Sequence, residues 1–461
     1  MPRQTAAPLP QPVFGEPSPT QDPSGFTIPP EDQDLYRGIE GLLKKDVVSF
    51  DRSRTGDREL FSLEGAWGPR GPDVVNSISD AGRIVFHAVG DSGASSAKRF
   101  PSEIRVADAL TAELQAARAP DRPSFLYHLG DLVYNFGEPA YYYDQFYDPF
   151  RDYPAPIFAI PGNHDSFIVP NTPRDREPLR VFARNFCAPA PVVTPEAGSL
   201  HRTAMTQPAV YFSLDAPFVR IIGLFSNALE DPGLISSEGG RWKAVPDFQR
   251  DFLRAQLRRI REDRYPGAVI LAVHHPPFSY AAPQSAAVGK HAGSAAMLAD
   301  IDAICVEEKV YPHAFLSGHA HNYQRYTRSL LFGGDLVSVP FVVCGSGGHN
   351  VSPLLSARGG QKAVEPRDGA DASYLDQSRT VTSKGLVLNT HNDTSFGYLR
   401  VIVDARTLTI EFHPVTPSRD GVDTVTVDIG AHRVSGRGAA SSRARPASTR
   451  AGRARRGPRR K

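Results

Sequence analysis

Between residues 83 and 320 the chain is paced by short apolar runs, each closed by a glycine or a polar residue. Arg83-Ile84-Val85-Phe86-His87-Ala88-Val89 comes first, and its β-branched, mostly apolar content marks a buried strand. Ser124-Phe125-Leu126-Tyr127-His128-Leu129, Pro156-Ile157-Phe158-Ala159-Ile160, Ala268-Val269-Ile270-Leu271-Ala272-Val273 and Ala314-Phe315-Leu316-Ser317 repeat the pattern. After the first run, Ile104, Ala107, Leu110 and Leu114 recur at helical spacing and predict a helix over 103–117. Phe248, Phe252, Leu253, Leu257 and Ile260 predict an amphipathic helix over 248–260 that covers one sheet. The paired runs 210–214 with 218–224, and 398–403 with 408–412, read as antiparallel hairpins. Two mixed β-sheets flanked by helices, an α/β fold with α+β character, fit this pattern better than a purely parallel sheet.

The regular pattern has clear edges. Residues 1–31 are Pro-rich and polar and predict a disordered N-terminal arm. Residues 32–80, with a short helix expected over 34–45, form an N-terminal extension that packs on the main domain. A single catalytic domain is expected over 81–432, and a disordered basic tail over 433–461. Residues 349–395 are rich in Gly, Ser and Asp and read as a long polar insertion before the last strands.

Composition narrows the class. The chain has 461 residues, 40% hydrophobic and 22% charged, which is ordinary for a globular protein with a sizeable core. No apolar run reaches the roughly 18–20 residues of a membrane span, and the N-terminus lacks an apolar signal core, so a cytoplasmic location is expected. Cys187, Cys305 and Cys344 are far apart and read as buried apolar residues, not as a disulfide framework or a thiolate metal site. The net charge of +2 hides a split. Ten Lys/Arg and no acidic residue lie from Ser435 to Lys461, leaving 42 basic against 50 acidic residues in the remainder. Such a tail can attract nucleic acid or anionic lipid without reading sequence.

Candidate chemistry sits where the apolar runs end. Five blocks follow in order: Gly90-Asp91-Ser92-Gly93, Gly130-Asp131-Leu132-Val133-Tyr134, Gly162-Asn163-His164-Asp165, Ala272-Val273-His274-His275 and Gly318-His319-Ala320-His321. In open α/β sheets, ligands gather beyond the carboxyl ends of strands, so distant residues of this kind converge. Two carboxylates, a phenol, an amide and several imidazoles are what a pair of neighbouring metal ions requires, and such pairs most often serve phosphate ester hydrolysis.

The order of these blocks resembles the calcineurin-like metallophosphoesterase superfamily and, within it, the purple acid phosphatases. Four blocks match in full, and the fourth has Leu271 where the pattern has Val. The match covers about residues 83–430, without the N-terminal β-domain of the plant enzymes. Generic members carry a histidine two residues after the first aspartate; Gly93 stands there, and Tyr134 can replace the lost ligand. A phenol with a solution pKa of ~10 needs a strongly Lewis-acidic cation. The resemblance implies a four-layer sandwich and Fe(III) held by Asp91, Tyr134 and His321. It implies a divalent ion (Zn, Fe or Mn) on Asn163, His274 and His319, with Asp131 bridging. It further implies phosphomonoester hydrolysis by a metal-bound hydroxide, with His164 as acid for the leaving group, Asp165 orienting it and His291 helping to bind phosphate. A small-molecule phosphate ester is the expected substrate. A phosphodiesterase on cyclic nucleotides or other diesters is the alternative, and a non-catalytic nucleic-acid binder using the tail is a third reading.

Other polar residues read as structural. His275 belongs to the core, His201-Arg202 and Lys290 to exposed loops, and His349-Asn350 to a tight turn beside the site. Asn322 and Arg325 are expected to make local hydrogen bonds and a surface charge pair. The aromatic residues 141–150 read as packing.

Overall fold

The computed structural model describes residues 61–435, apart from 97, 135–136, 167–178, 228, 230, 243–244, 281–290, 355–356, 360–361, 365 and 416–420. The N-terminal arm, the helix expected over 34–45, Lys290 and the tail from 436 lie outside the described residues.

Two mixed sheets form the body. In the seven-stranded sheet, Arg83–Val89 pairs in parallel with Leu126–His128, which pairs in parallel with Ile157–Ala159. On its other side Arg83–Val89 meets the antiparallel hairpin Gly397–Asp404 and Thr407–Pro414. In the nine-stranded sheet, Val219–Leu224, Ala268–Val273, Ala314–Ser317 and Asp335–Cys344 run parallel in that order. Phe212–Ala216 precedes Val219–Leu224 as the antiparallel arm of a hairpin, two residues later than its apolar run begins.

Strand periodicity sorts side chains between two layers of core. Ile84, Phe86 and Ala88 join Ala268, Ile270 and Ala272 in the apolar layer between the sheets. Val269, Leu271 and Val273 face the other way, clustering with Phe252, Leu257 and Ile301 of the covering helices. Those helices are Phe248–Glu262 and Ala295–Glu308; Phe100–Ala116 supplies Val106, Ala107, Leu110 and Leu114 to the same cluster. Phe248, counted from spacing as a core residue, is exposed, and Gln249 turns inward to bond both the N–H and the carbonyl of Phe225. At the N-terminal boundary, Phe61–Ser62 pairs in parallel with Phe212–Ala216, and buried Leu63 anchors the following helical turns.

The polar insertion is not all loop. Thr382–Asn392 pairs antiparallel with Tyr323–Phe332, and Ala370–Asp371 extends the same edge. Leu386 and Leu388 are its inward apolar residues, too few among polar neighbours to signal a strand. Beneath it, the buried Arg328 guanidinium contacts both carboxylate oxygens of Asp302 at 3.0 Å and those of Asp376 at 2.8 and 2.9 Å. No helix among the described residues is long and apolar enough to cross a membrane.

Candidate metal centre

The parallel strands of both sheets end on one region, where their backbones are stitched together. Gly90 N–H donates to Cys344 O at 3.0 Å, Asp91 N–H to Gly130 O at 2.9 Å and Gly318 N–H to His274 O at 3.0 Å. Asp91, Asp131 and His319 all have positive φ, at 59°, 56° and 67°. That left-handed conformation turns the chain sharply off the strand end, and it is a strain that clusters at functional sites.

The side chains form two adjoining groups. In the first, the Tyr134 hydroxyl lies 2.9 Å from Asp131 Oδ2, 3.2 Å from Asp91 Oδ1 and 3.3 Å from His321 Nε2. In the second, Asn163 Oδ1 is 3.1 Å from both His274 Nε2 and His319 Nδ1. Asp131 Oδ2 is also 3.4 Å from His274 Nε2 and so belongs to both groups. Asp131, His274 and His319 each offer an atom within 4.8 Å of the others.

Gly93 and Gly162 are required by close approach. A Cβ on Gly93 would lie 2.3 Å from Leu132 O and 2.7 Å from Gln145 Oε1. One on Gly162 would lie 2.0 Å from Asp131 Oδ1. Tyr134 is held by the Gln145 amide, which accepts from its N–H and donates to its carbonyl, both at 2.8 Å.

Electrostatics follow from burial of so many ionisable groups together. Burial pushes the Asp91 carboxyl up to about 8 against the opposing pull of His274, and the nearby Asp131 adds to the rise. Burial also acts upward on Asp131, but His274 and His164 outweigh it and hold it below the usual carboxylate range. His274 is the reverse case: burial lowers it, Asp131 raises it more, and it reaches about 9. His321 is driven down to about 3 by burial, and His319 and His291 also lie low for that reason. Burial and then the charge of Asp131 raise the Tyr134 phenol well above its ordinary value.

A model of the calcineurin-like phosphoesterase family matches residues 84–323. The chain belongs to that family. Family membership makes this a metal-dependent phosphoesterase domain, and the Asp131–His274–His319 group is a possible metal site within it. No curated protein matches significantly. Among solved structures, the chain is similar to GAP50, the anchor in the inner membrane complex of Plasmodium, at 12% identity and a TM-score of 0.43, covering 74% of this chain and 88% of that one. It is similar to PhoD at 12% identity and a TM-score of 0.43, covering 77% and 71%.

Around these two groups, the other expected residues fall as follows. The His164 ring lies 4.3 Å from that of Tyr134, and the backbone N–H of His164 donates to Asp131 Oδ1 at 3.0 Å. The Asp165 carboxylate accepts from the N–H groups of Leu132 and Val133, both at 3.0 Å, and of Gly162 at 2.9 Å. It therefore ties the second and third blocks together through backbone. The His291 ring stands 4.7 Å from both His319 and His321. His275 is buried, bonded to Ser226 Oγ at 2.7 Å and Leu229 O at 2.9 Å. Arg325 is buried too, and its charge pair is bidentate with Asp423 at 2.6 and 2.9 Å.

Two residues, His128 and Asp231, have no role in the sequence reading, and His349 is expected there only as part of a tight turn beside the site. His128 bonds Ser92 Oγ at 2.9 Å and accepts from Gly130 N–H at 3.2 Å, locking the first two blocks. His349 stacks on Tyr134, bonds Gly93 O at 2.7 Å through Nδ1, and lies 2.9 Å from Arg99 Nη1 through Nε2. Asp231 Oδ1 approaches His319 Nε2 at 3.9 Å. For His349 the run Gly345-Ser346-Gly347-Gly348 was a signal of close approach; nothing in the sequence marks the other two.

Proposed function

We propose that the protein is a phosphomonoesterase of the purple acid phosphatase type, with Fe(III) on Asp91, Tyr134 and His321, a divalent Zn, Fe or Mn ion on Asn163, His274 and His319, and Asp131 between them. The observation that carries this reading is the Tyr134 hydroxyl, within 3.3 Å of Asp91, Asp131 and His321. The donor set fits a cation pair: one buried oxygen of Asn163 faces two imidazole nitrogens, while a carboxylate shared with the neighbouring group closes the second side. Its protein surroundings oppose ionisation of the phenol, so only a strongly Lewis-acidic ion such as Fe(III) takes it as phenolate.

Such a pair supplies charge to neutralise the phosphoryl oxygens and a water acidic enough to attack near neutral pH. The chain's own groups do the rest. His164, beside Tyr134, would give a proton to the departing alkoxide. His291, whose ring faces the two histidines of the last block, would help to bind the phosphate. Asp165 keeps the loops bearing Asp131 and His164 in register through three backbone N–H groups.

The test is metal analysis by mass spectrometry with a visible spectrum of iron-loaded protein, followed by paired assays on p-nitrophenyl phosphate and bis(p-nitrophenyl) phosphate. A phenolate-to-iron band that vanishes in Tyr134→Phe, with preference for the monoester, is the expected result. A colourless iron-loaded protein refutes the branch assignment, and preference for the diester refutes the substrate class.

A further inference from the structure

Asp231 lies outside all five blocks, on the loop after strand Val219–Leu224. Its Oδ1 accepts from Ala292 N–H at 3.1 Å and stands 3.9 Å from His319 Nε2. The His319 ring is thus two-sided. Its Nδ1 points at Asn163 Oδ1, the oxygen that also faces His274, while its Nε2 points at Asp231. That Nε2 is buried and has no hydrogen-bond partner among the described residues. An imidazole that gives its Nδ1 lone pair to a cation carries its proton on Nε2, and the acceptor for that proton fixes both tautomer and ring orientation. A carboxylate is the usual acceptor, and a shift of about 1 Å would bring Asp231 within hydrogen-bond range.

The same carboxylate has a second attachment. Ala292 follows His291 directly, and the His291 ring rests 4.7 Å from both His319 and His321. One side chain therefore connects a metal-facing histidine to the loop that brings another histidine to the cleft.

We propose that Asp231 is a positioning residue with two separable tasks: holding His319 as an Nδ1 donor to the second cation, and fixing through Ala292 the loop that presents His291. The inference rests on the two-cation reading above. The tasks separate because asparagine keeps an oxygen for the Ala292 N–H but loses the charge opposite His319, whereas alanine loses both.

The experiment uses full-length protein, stripped of metal, reloaded with one equivalent of Fe(III), titrated with zinc against a chromophoric chelator, then assayed on p-nitrophenyl phosphate at saturating zinc. Asp231→Asn should weaken one of the bound ions by about 10- to 100-fold, the usual cost of an outer carboxylate, with KM unchanged. Asp231→Ala should show the same loss of zinc affinity and a raised KM. Unchanged zinc affinity in Asp231→Asn overturns the proposal, whatever happens to thermal stability. Equal KM values in wild type and Asp231→Ala overturn its loop-fixing half. Wild-type protein that holds no zinc beside the iron refutes the two-cation reading and this proposal with it, and does so before any variant is made.

Discussion

The imidazole of His349 lies flat on the phenol ring of Tyr134, with centroids 3.5 Å apart and planes 17° from parallel. Its Nδ1 is spent on Gly93 O and its Nε2 faces Arg99, so the ring is a wall and not a free base. His349→Ala should cost about 0.5–1.5 kcal/mol for the lost stack and about 1–3 kcal/mol for the buried carbonyl left unbonded. His349→Phe should recover only the first part. Urea denaturation of the two variants distinguishes these contributions.

Tyr134 cannot be exchanged for the histidine that other family members carry two residues after the first aspartate. A Cβ at Gly93 collides with Leu132 O at 2.3 Å. Gly93→His should therefore destabilise by about 1–3 kcal/mol or more through overpacking. The double variant Gly93→His with Tyr134→Phe should not regain the first ion. Restored metal stoichiometry in the double variant would disprove this account of the glycine.

His164→Ala should lower kcat by about 10²- to 10⁴-fold on alkyl phosphates, as expected for loss of a general acid. On p-nitrophenyl phosphate the loss should be smaller, because that leaving group departs without a proton. Metal content should stay at the wild-type level. An equal loss on both substrates would remove His164 from the acid role.

The Glu113 carboxyl gives a pH dependence remote from the metals. Burial acts to raise it, but the His87 ring, 3.4 Å away, and the Tyr398 hydroxyl, which donates at 2.6 Å, prevail and hold it at about 2, against an ordinary 4.5. A carboxyl lowered on folding stabilises fully above its unfolded value, and that contribution fades as pH falls from about 4.5 towards 2. Burial keeps His87 below its ordinary value, so acid also favours the unfolded chain there. Glu113→Gln should be less stable than wild type at pH 7, and the gap should narrow on acidification. Melting curves between these limits check the sign; a gap that widens in acid contradicts it.

Arg328, with carboxylates from helix Ala295–Glu308 and from the insertion on either side, is the strut under strand Thr382–Asn392. Arg328→Met leaves two buried carboxylates without their cation and should cost about 3–5 kcal/mol. A denaturation midpoint close to wild type would show that the pair is not the anchor inferred here.

The five blocks were readable because each pairs a strong local signal, an apolar strand, with a polar residue at its carboxyl end. Asp91, Asp131 and His274 needed no tertiary knowledge beyond that rule. The roles of His128, Asp231 and His349 were hidden for a common reason: their contacts join segments distant in sequence, to backbone groups and to other polar or aromatic side chains, and leave no spacing to read. The strand Thr382–Asn392 was missed because, near the edge of its sheet, it buries few apolar side chains, while Phe248 was over-read because helical spacing does not say where a helix leaves the core. Gln145 looked like one polar residue in an aromatic segment, yet it clamps the Tyr134 backbone on both sides.

The left-handed backbone at Asp91, Asp131 and His319 shapes how this centre can be dissected. For most L-residues that conformation costs roughly 1–2 kcal/mol, a penalty that asparagine and glycine largely escape. An alanine scan would thus erase a donor and strain a turn at once, blurring lost chemistry into lost folding. Asparagine at the two aspartates removes charge while leaving the chain's path intact, and is the cleaner knife.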